Sequence, residues 1–108
     1  DDMREATALI TIDMLLKAGC QVRVFDPVAM EECQRRIGDK VYYAKDMYDA
    51  TDGADALMLL TEWKLFRMPD WIKIKGMMKT PLLLDGRNIY YPSEMSELGF
   101  AYSCIGRK

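Results

Sequence analysis

The apolar positions change their period several times along the chain, and each change marks an element. Ala8, Leu9, Ile12, Leu15 and Leu16 recur at helical spacing and form one stripe. Asp2 offers an N-cap side chain, Glu5 stands three residues on as in a capping box, and Gly19 provides the stop. Residues 21–25 (Gln-Val-Arg-Val-Phe) alternate, are rich in β-formers and end at Asp26-Pro27. Pro27 then opens a helical stretch over 28–37, closed by Gly38. A short strand is predicted at Val41-Tyr42-Tyr43 and a short helix over 47–51. Residues 56–60 (Ala-Leu-Met-Leu-Leu) are continuously apolar between polar neighbours, the pattern of a strand buried on both faces. Residues 62–66 and 70–78 read as helical with a break near Pro69. Leu82-Leu83-Leu84 is a third buried strand, closed by Asp85-Gly86-Arg87-Asn88, and a short helix over 92–98 stops at Gly99 before a last strand over 100–105.

Helices and strands therefore alternate throughout, with short connections and no repeat, linker or low-complexity tract. Such alternation implies βαβ units, a doubly wound and mainly parallel α/β sheet with helices on both faces, and a single domain over 1–108. A doubly wound domain starts with its central strand, whereas this pattern starts with a helix. The expectation is that the first strand precedes Asp1, that the sequence is a piece of a longer chain, and that a gap separates the strands at 21–25 and 56–60.

Composition narrows the chemistry. Half of the 108 residues are apolar, enough for a core, and 15 basic against 17 acidic residues leave a net charge of −2. That balance argues against nucleic acid as a partner. The apolar runs are far shorter than the roughly 20 residues a membrane helix needs. There is no His, so Ser-His-Asp triads, Cys-His pairs and His-bearing zinc sites are excluded. Cys20, Cys33 and Cys104 are an odd set without a C-x-x-C pair, and they read as free thiols of a cytoplasmic protein, with neither a nucleophile nor a metal ligand among them.

Ligands of a doubly wound sheet sit beyond the carboxyl ends of its strands. Asp26 ends the second strand of such a unit, where an acid can bond a ribose hydroxyl; the other reading is an Asp-Pro turn starting the next helix, and no glycine fingerprint supports the first. Arg87 follows a strand tip and a glycine, and its guanidinium fork suits a phosphate or carboxylate; an ordinary turn with a surface Arg is the alternative. Arg4, in a first helical turn, opposes the helix dipole and so calls for an anion, either a ligand or a nearby Asp or Glu. Trp63 could stack on a base or a neighbouring domain, or pack beneath its own helix. The nine Met read as core or interface fillers, and Glu31/Arg35 and Glu32/Arg36 as i,i+4 pairs on a solvated face.

Taken together, the stretches Asp1-Asp2-Met3-Arg4-Glu5-Ala6, Phe25-Asp26-Pro27, Met30-Glu31-Glu32, Gly53-Ala54-Asp55-Ala56, Thr61-Glu62-Trp63 with Phe66, Asp85-Gly86-Arg87-Asn88 with Tyr90, Glu97-Leu98-Gly99-Phe100 and Ile105-Gly106-Arg107 resemble the C-terminal, Rossmann-like domain of the UDP-glucose/GDP-mannose dehydrogenase family. The resemblance runs in order over essentially the whole chain. It implies an enzyme that oxidises the C6 hydroxyl of a UDP-sugar to a carboxylate with two NAD+, and a domain that helps bind the UDP-sugar. Its implied partners are UDP-glucose and UDP-glucuronate, the N-terminal and middle domains of the same enzyme, and further copies of it. By matching position, Arg4 resembles the family Arg that reaches the cofactor NAD, and Arg87 the Arg that contacts substrate. The family's catalytic Cys, Lys and Asn and its NAD glycine fingerprint lie upstream, so no catalytic residue and no metal ligand is expected here, and this polypeptide alone is expected to oxidise nothing. The wording around Glu62 and Arg87 favours the UDP-glucose branch over the UDP-N-acetyl-mannosamine and GDP-mannose branches. A non-catalytic α/β interaction module is the alternative from another class.

Overall fold

The computed structural model describes the backbone of residues 2–104 and the side chains of residues 7–104. The elements follow in the order α1 (Asp2–Lys17), β1 (Arg23–Val24), α2 (Met30–Ile37), β2 (Tyr42–Tyr43), α3 (Met47–Thr51), β3 (Leu57–Leu59), α4 (Trp71–Met77), β4 (Leu82–Asp85), α5 (Pro92–Glu97) and β5 (Ala101–Cys104), with single 3-10 turns at Gly38–Lys40 and Lys64–Phe66. This is a mixed α/β fold of parallel strands flanked by helices, consistent with a partial Rossmann-like domain.

The chain forms two compact units, one ending at Ala50 and one beginning at Thr51. In the first, β1 and β2 pair in parallel, Arg23 opposite Tyr42 and Val24 opposite Tyr43. In α1, Ile12 is buried and Ala8, Leu9, Leu15 and Leu16 are half-buried, so the apolar stripe is the covered one. Asp2 lies inside α1 and not at its cap. The helix closes as a Schellman motif: Cys20 N–H donates to Leu15 O and Gly19 N–H to Leu16 O, both 3.0 Å, with Gly19 at φ 87°. Asp49 ties the unit together. Its carboxylate accepts from Arg23 Nη2 (2.9 Å), the Tyr42 hydroxyl (2.8 Å) and the Lys45 amide (3.0 Å), while the Arg23 guanidinium also caps the Asp49 carbonyl and stacks on the Tyr42 ring at 4.0 Å.

In the second unit, β4 lies between β3 and β5 and all three are parallel. The register sets Leu59 opposite Asp85, and Asp85 opposite Cys104. Leu83 is wholly buried at the sheet centre, with Leu59, Ile74, Met78, Met95 and Phe100 also in the core. Trp71 packs edge-on against Tyr90 and Phe100, with centroids 5.0 and 5.3 Å apart. Asp70 caps α4 by accepting from Lys73 N–H at 3.1 Å, and Pro92 starts α5. A second Schellman motif ends α5: Phe100 N–H donates to Met95 O and Gly99 N–H to Ser96 O, with the Phe100 and Met95 side chains both buried.

Two further expectations change. The apolar run at 56–60 is not covered on both faces, because the Met58 side chain is exposed while Leu59 points inward. On α2, Arg35 turns to Glu32 at 3.1 Å, so Glu32 holds both Arg35 and Arg36 (3.0 Å) and the expected Glu31/Arg35 pair gives way to an i,i+3 one. The described strands form two sheets, β1-β2 and β3-β4-β5.

Candidate functional site at the carboxyl ends of β3 and β4

Because β3 and β4 are parallel and in register at Leu59 and Asp85, the segments that follow them leave the sheet at the same end. Gly86 N–H donates to Leu59 O at 2.9 Å and extends the contact by one step. Beyond it, Glu62 from the first segment and Arg87 from the second meet. Glu62 Oε1 accepts from Arg87 Nε at 2.9 Å and from Arg87 Nη2 at 2.6 Å. Both side chains keep over a quarter of their surface in solvent (28% and 29%), so the pair stands at the surface of the tip.

The turn that carries Arg87 is built around Asp85, which is 1% exposed. Its Oδ1 accepts from the amides of Arg87 (2.9 Å) and Asn88 (2.7 Å). Its Oδ2 accepts from the Tyr90 amide (3.0 Å) and the Tyr102 hydroxyl (2.7 Å). Burial pushes this carboxyl up, but the Tyr102 hydroxyl and the three amides together outweigh it and hold Asp85 below the usual carboxylate range. The same carboxylate, after burial, helps raise the Tyr102 and Tyr90 phenols, which remain protonated donors. The Tyr90 hydroxyl donates to Phe66 O and fixes the turn between β3 and α4. The left-handed residue of the tip is Asn88 at φ 59°, a conformation Asn tolerates; the turn therefore bends there as well as at Gly86.

The other candidates stand elsewhere. Asp26 Oδ1 accepts from the amides of Val28 (2.8 Å) and Ala29 (2.9 Å), the geometry of an Asp-Pro turn capping the next helix. Arg4 lies in the first turn of α1, and its side chain lies outside the described residues. Trp63 is exposed, and Phe66 takes the buried place in that turn. Burial pushes the Cys33 thiol up, against a role as a thiolate, and Cys20 and Cys104 are also free. Of the nine Met, Met78 and Met95 fill the core, whereas Met14, Met58 and Met68 face solvent. Among the described residues no helix is long and apolar enough to cross a membrane.

Sequence reasoning named Arg87 but missed what holds it. A charged Asp at the end of an all-leucine strand was the available signal for a buried carboxylate in need of donors, and Tyr90 and Tyr102 are the nearby phenols. The Glu62–Arg87 contact spans 25 residues and depends on strand register, which no local pattern carries.

A family model described as "UDP-glucose/GDP-mannose dehydrogenase family, UDP binding domain" matches residues 1–92, which include Glu62, Asp85 and Arg87. The chain belongs to this family. Relatives of known name agree: it is 51% identical over 99% of its length to a UDP-glucose 6-dehydrogenase of Pseudomonas aeruginosa, and 44% identical over 99% to one of Rhizobium meliloti. It is 37% identical over 99% to the UDP-glucose 6-dehydrogenase TuaD of Bacillus subtilis. The chain spans about a quarter of the length of these relatives (25%, 24% and 23%). Among solved structures, a UDP-D-ManNAc dehydrogenase of Pyrococcus horikoshii matches 97% of this chain and 31% of that one, with a TM-score of 0.56 and 20% identity, a likeness of fold.

Proposed function

We propose that the full-length protein carrying this UDP binding domain is an NAD-dependent UDP-glucose 6-dehydrogenase of the cytoplasm. It converts UDP-glucose to UDP-glucuronate with reduction of two NAD+, and this domain supplies the UDP-sugar side of the site. The observation that carries the reading is Arg87, a guanidinium at the carboxyl end of a parallel strand inside the region matched as a UDP binding domain. The choice of UDP-glucose over UDP-N-acetyl-mannosamine or GDP-mannose is supported by the names of relatives at 37–51% identity.

The sequence of this chain carries no NAD glycine fingerprint. Its seven glycines are scattered, none in a G-x-G-x-x-G loop. NAD is therefore assigned to the remaining domains of the enzyme, with Arg4 as this domain's contribution to it. No step of the oxidation is assigned to residues of this chain.

The test is NADH formation by the full-length protein with UDP-glucose, UDP-N-acetyl-mannosamine and GDP-mannose in parallel. Two NADH per UDP-glucose is the expected result, with none from the 108-residue chain alone. Preferred turnover of either other sugar nucleotide overturns the substrate, and turnover by the isolated chain overturns the division of labour.

A further inference from the structure

Arg87 is held at both ends. Its backbone N–H is fixed by Asp85, and its head is fixed by a single oxygen of Glu62 that bridges Nε and Nη2. A guanidinium carries five N–H bonds in one plane, on two usable edges. Glu62 takes the side edge, formed by Nε and one N–H of Nη2. The end edge, formed by Nη1 and the second N–H of Nη2, is directed away from Glu62 and is the one that can grip two oxygens of a diphosphate side by side. At over a quarter exposure on both sides, the ion pair contributes little to stability because solvent screens it. Its geometric effect is the larger one, since it restricts a long, flexible side chain to one orientation before any ligand arrives.

We propose that Glu62 is the positioning residue of the UDP site, acting through Arg87 by fixing the side edge of its guanidinium so that the end edge faces the diphosphate. The proposal rests on the reading of Arg87 as the substrate cation. It assigns to Glu62 a role opposite to what its charge suggests: a carboxylate that strengthens binding of an anion.

The experiment is calorimetric titration of UDP into the full-length protein and its Glu62→Ala, Glu62→Gln, Arg87→Ala and Glu62→Ala/Arg87→Ala variants, with melting curves for each. Arg87→Ala is expected to raise Kd for UDP by more than about tenfold, and Glu62→Ala by roughly three- to tenfold. Glu62→Gln, which keeps an oxygen acceptor, should recover part of that loss. In the double variant Kd should equal that of Arg87→Ala alone, because a residue that acts through Arg87 has nothing left to position. A Kd unchanged or tightened by Glu62→Ala overturns the proposal, as does a loss that persists undiminished without Arg87. No loss in Arg87→Ala itself overturns the assignment of Arg87, and the positioning role with it. Loss in Arg87→Ala with none in either Glu62 variant overturns the positioning role alone.

Discussion

Asp85 is the residue on which the tip of β4 depends. Its two oxygens satisfy three backbone amides and one phenol, with the Tyr90 N–H on Oδ2 at 3.0 Å. In Asp85→Asn the amide oxygen can still serve Arg87 and Asn88, but the new NH2 group faces the Tyr90 amide, donor against donor. A buried donor without an acceptor costs about 2 kcal/mol, so this variant is expected to unfold at lower urea by that amount at neutral pH. The sign of the pH dependence follows from the lowered pKa of Asp85. The carboxylate's stabilisation is present above its unfolded value of about 3.9 and is lost as pH falls through the lower folded value. The gap between native and variant should therefore be constant near neutrality and close in strong acid, which urea titrations at several pH values measure directly. At this scale the sequence was half legible. A turn of Asp-Gly-Arg-Asn announces a strand tip, but the partner of Arg87 is set by the neighbouring strand.

The elements were legible because their ends are written in local chemistry. Gly19 and Gly99 mark helix stops, Asp70 and Pro92 mark starts, and each does so in the structure. Gly99 is the sharper case, since its φ of 90° combines with burial of Phe100 against Met95. Its missing Cβ would meet only the flexible end of Lys75, so the constraint there is the backbone angle and not space. Gly99→Ala is expected to cost roughly 1–2 kcal/mol, the penalty of a left-handed backbone for an L residue, read as a lower melting temperature with unchanged circular dichroism. What local chemistry could not carry was coverage. The run at 56–60 is apolar throughout, yet Met58 is exposed, because burial is decided by which elements lie against a face and not by the hydrophobicity of the strand itself. The same limit applies to α2, where rotamer choice and not spacing gives Arg35 to Glu32.

For the whole molecule, the alternation of helices and strands was enough to give an α/β fold of parallel strands. The family follows from many short motifs in order, each of them common alone. The methionines extend this picture from structure to reactivity. Met68 is 92% exposed and Met14 65%, whereas Met78 is 8% and Met95 only 1% exposed. A thioether reacts with peroxide according to its access to solvent, so the set forms a graded chemical ruler. Mild oxidation followed by peptide mass mapping should convert Met68 first, Met14 next, and Met95 only after unfolding. Early sulfoxide at Met95 would contradict the packing beneath α5. In any longer protein that carries this domain, the same ruler turns each exposed sulfur into a reporter: one that loses its reactivity there has been covered by another part of that protein.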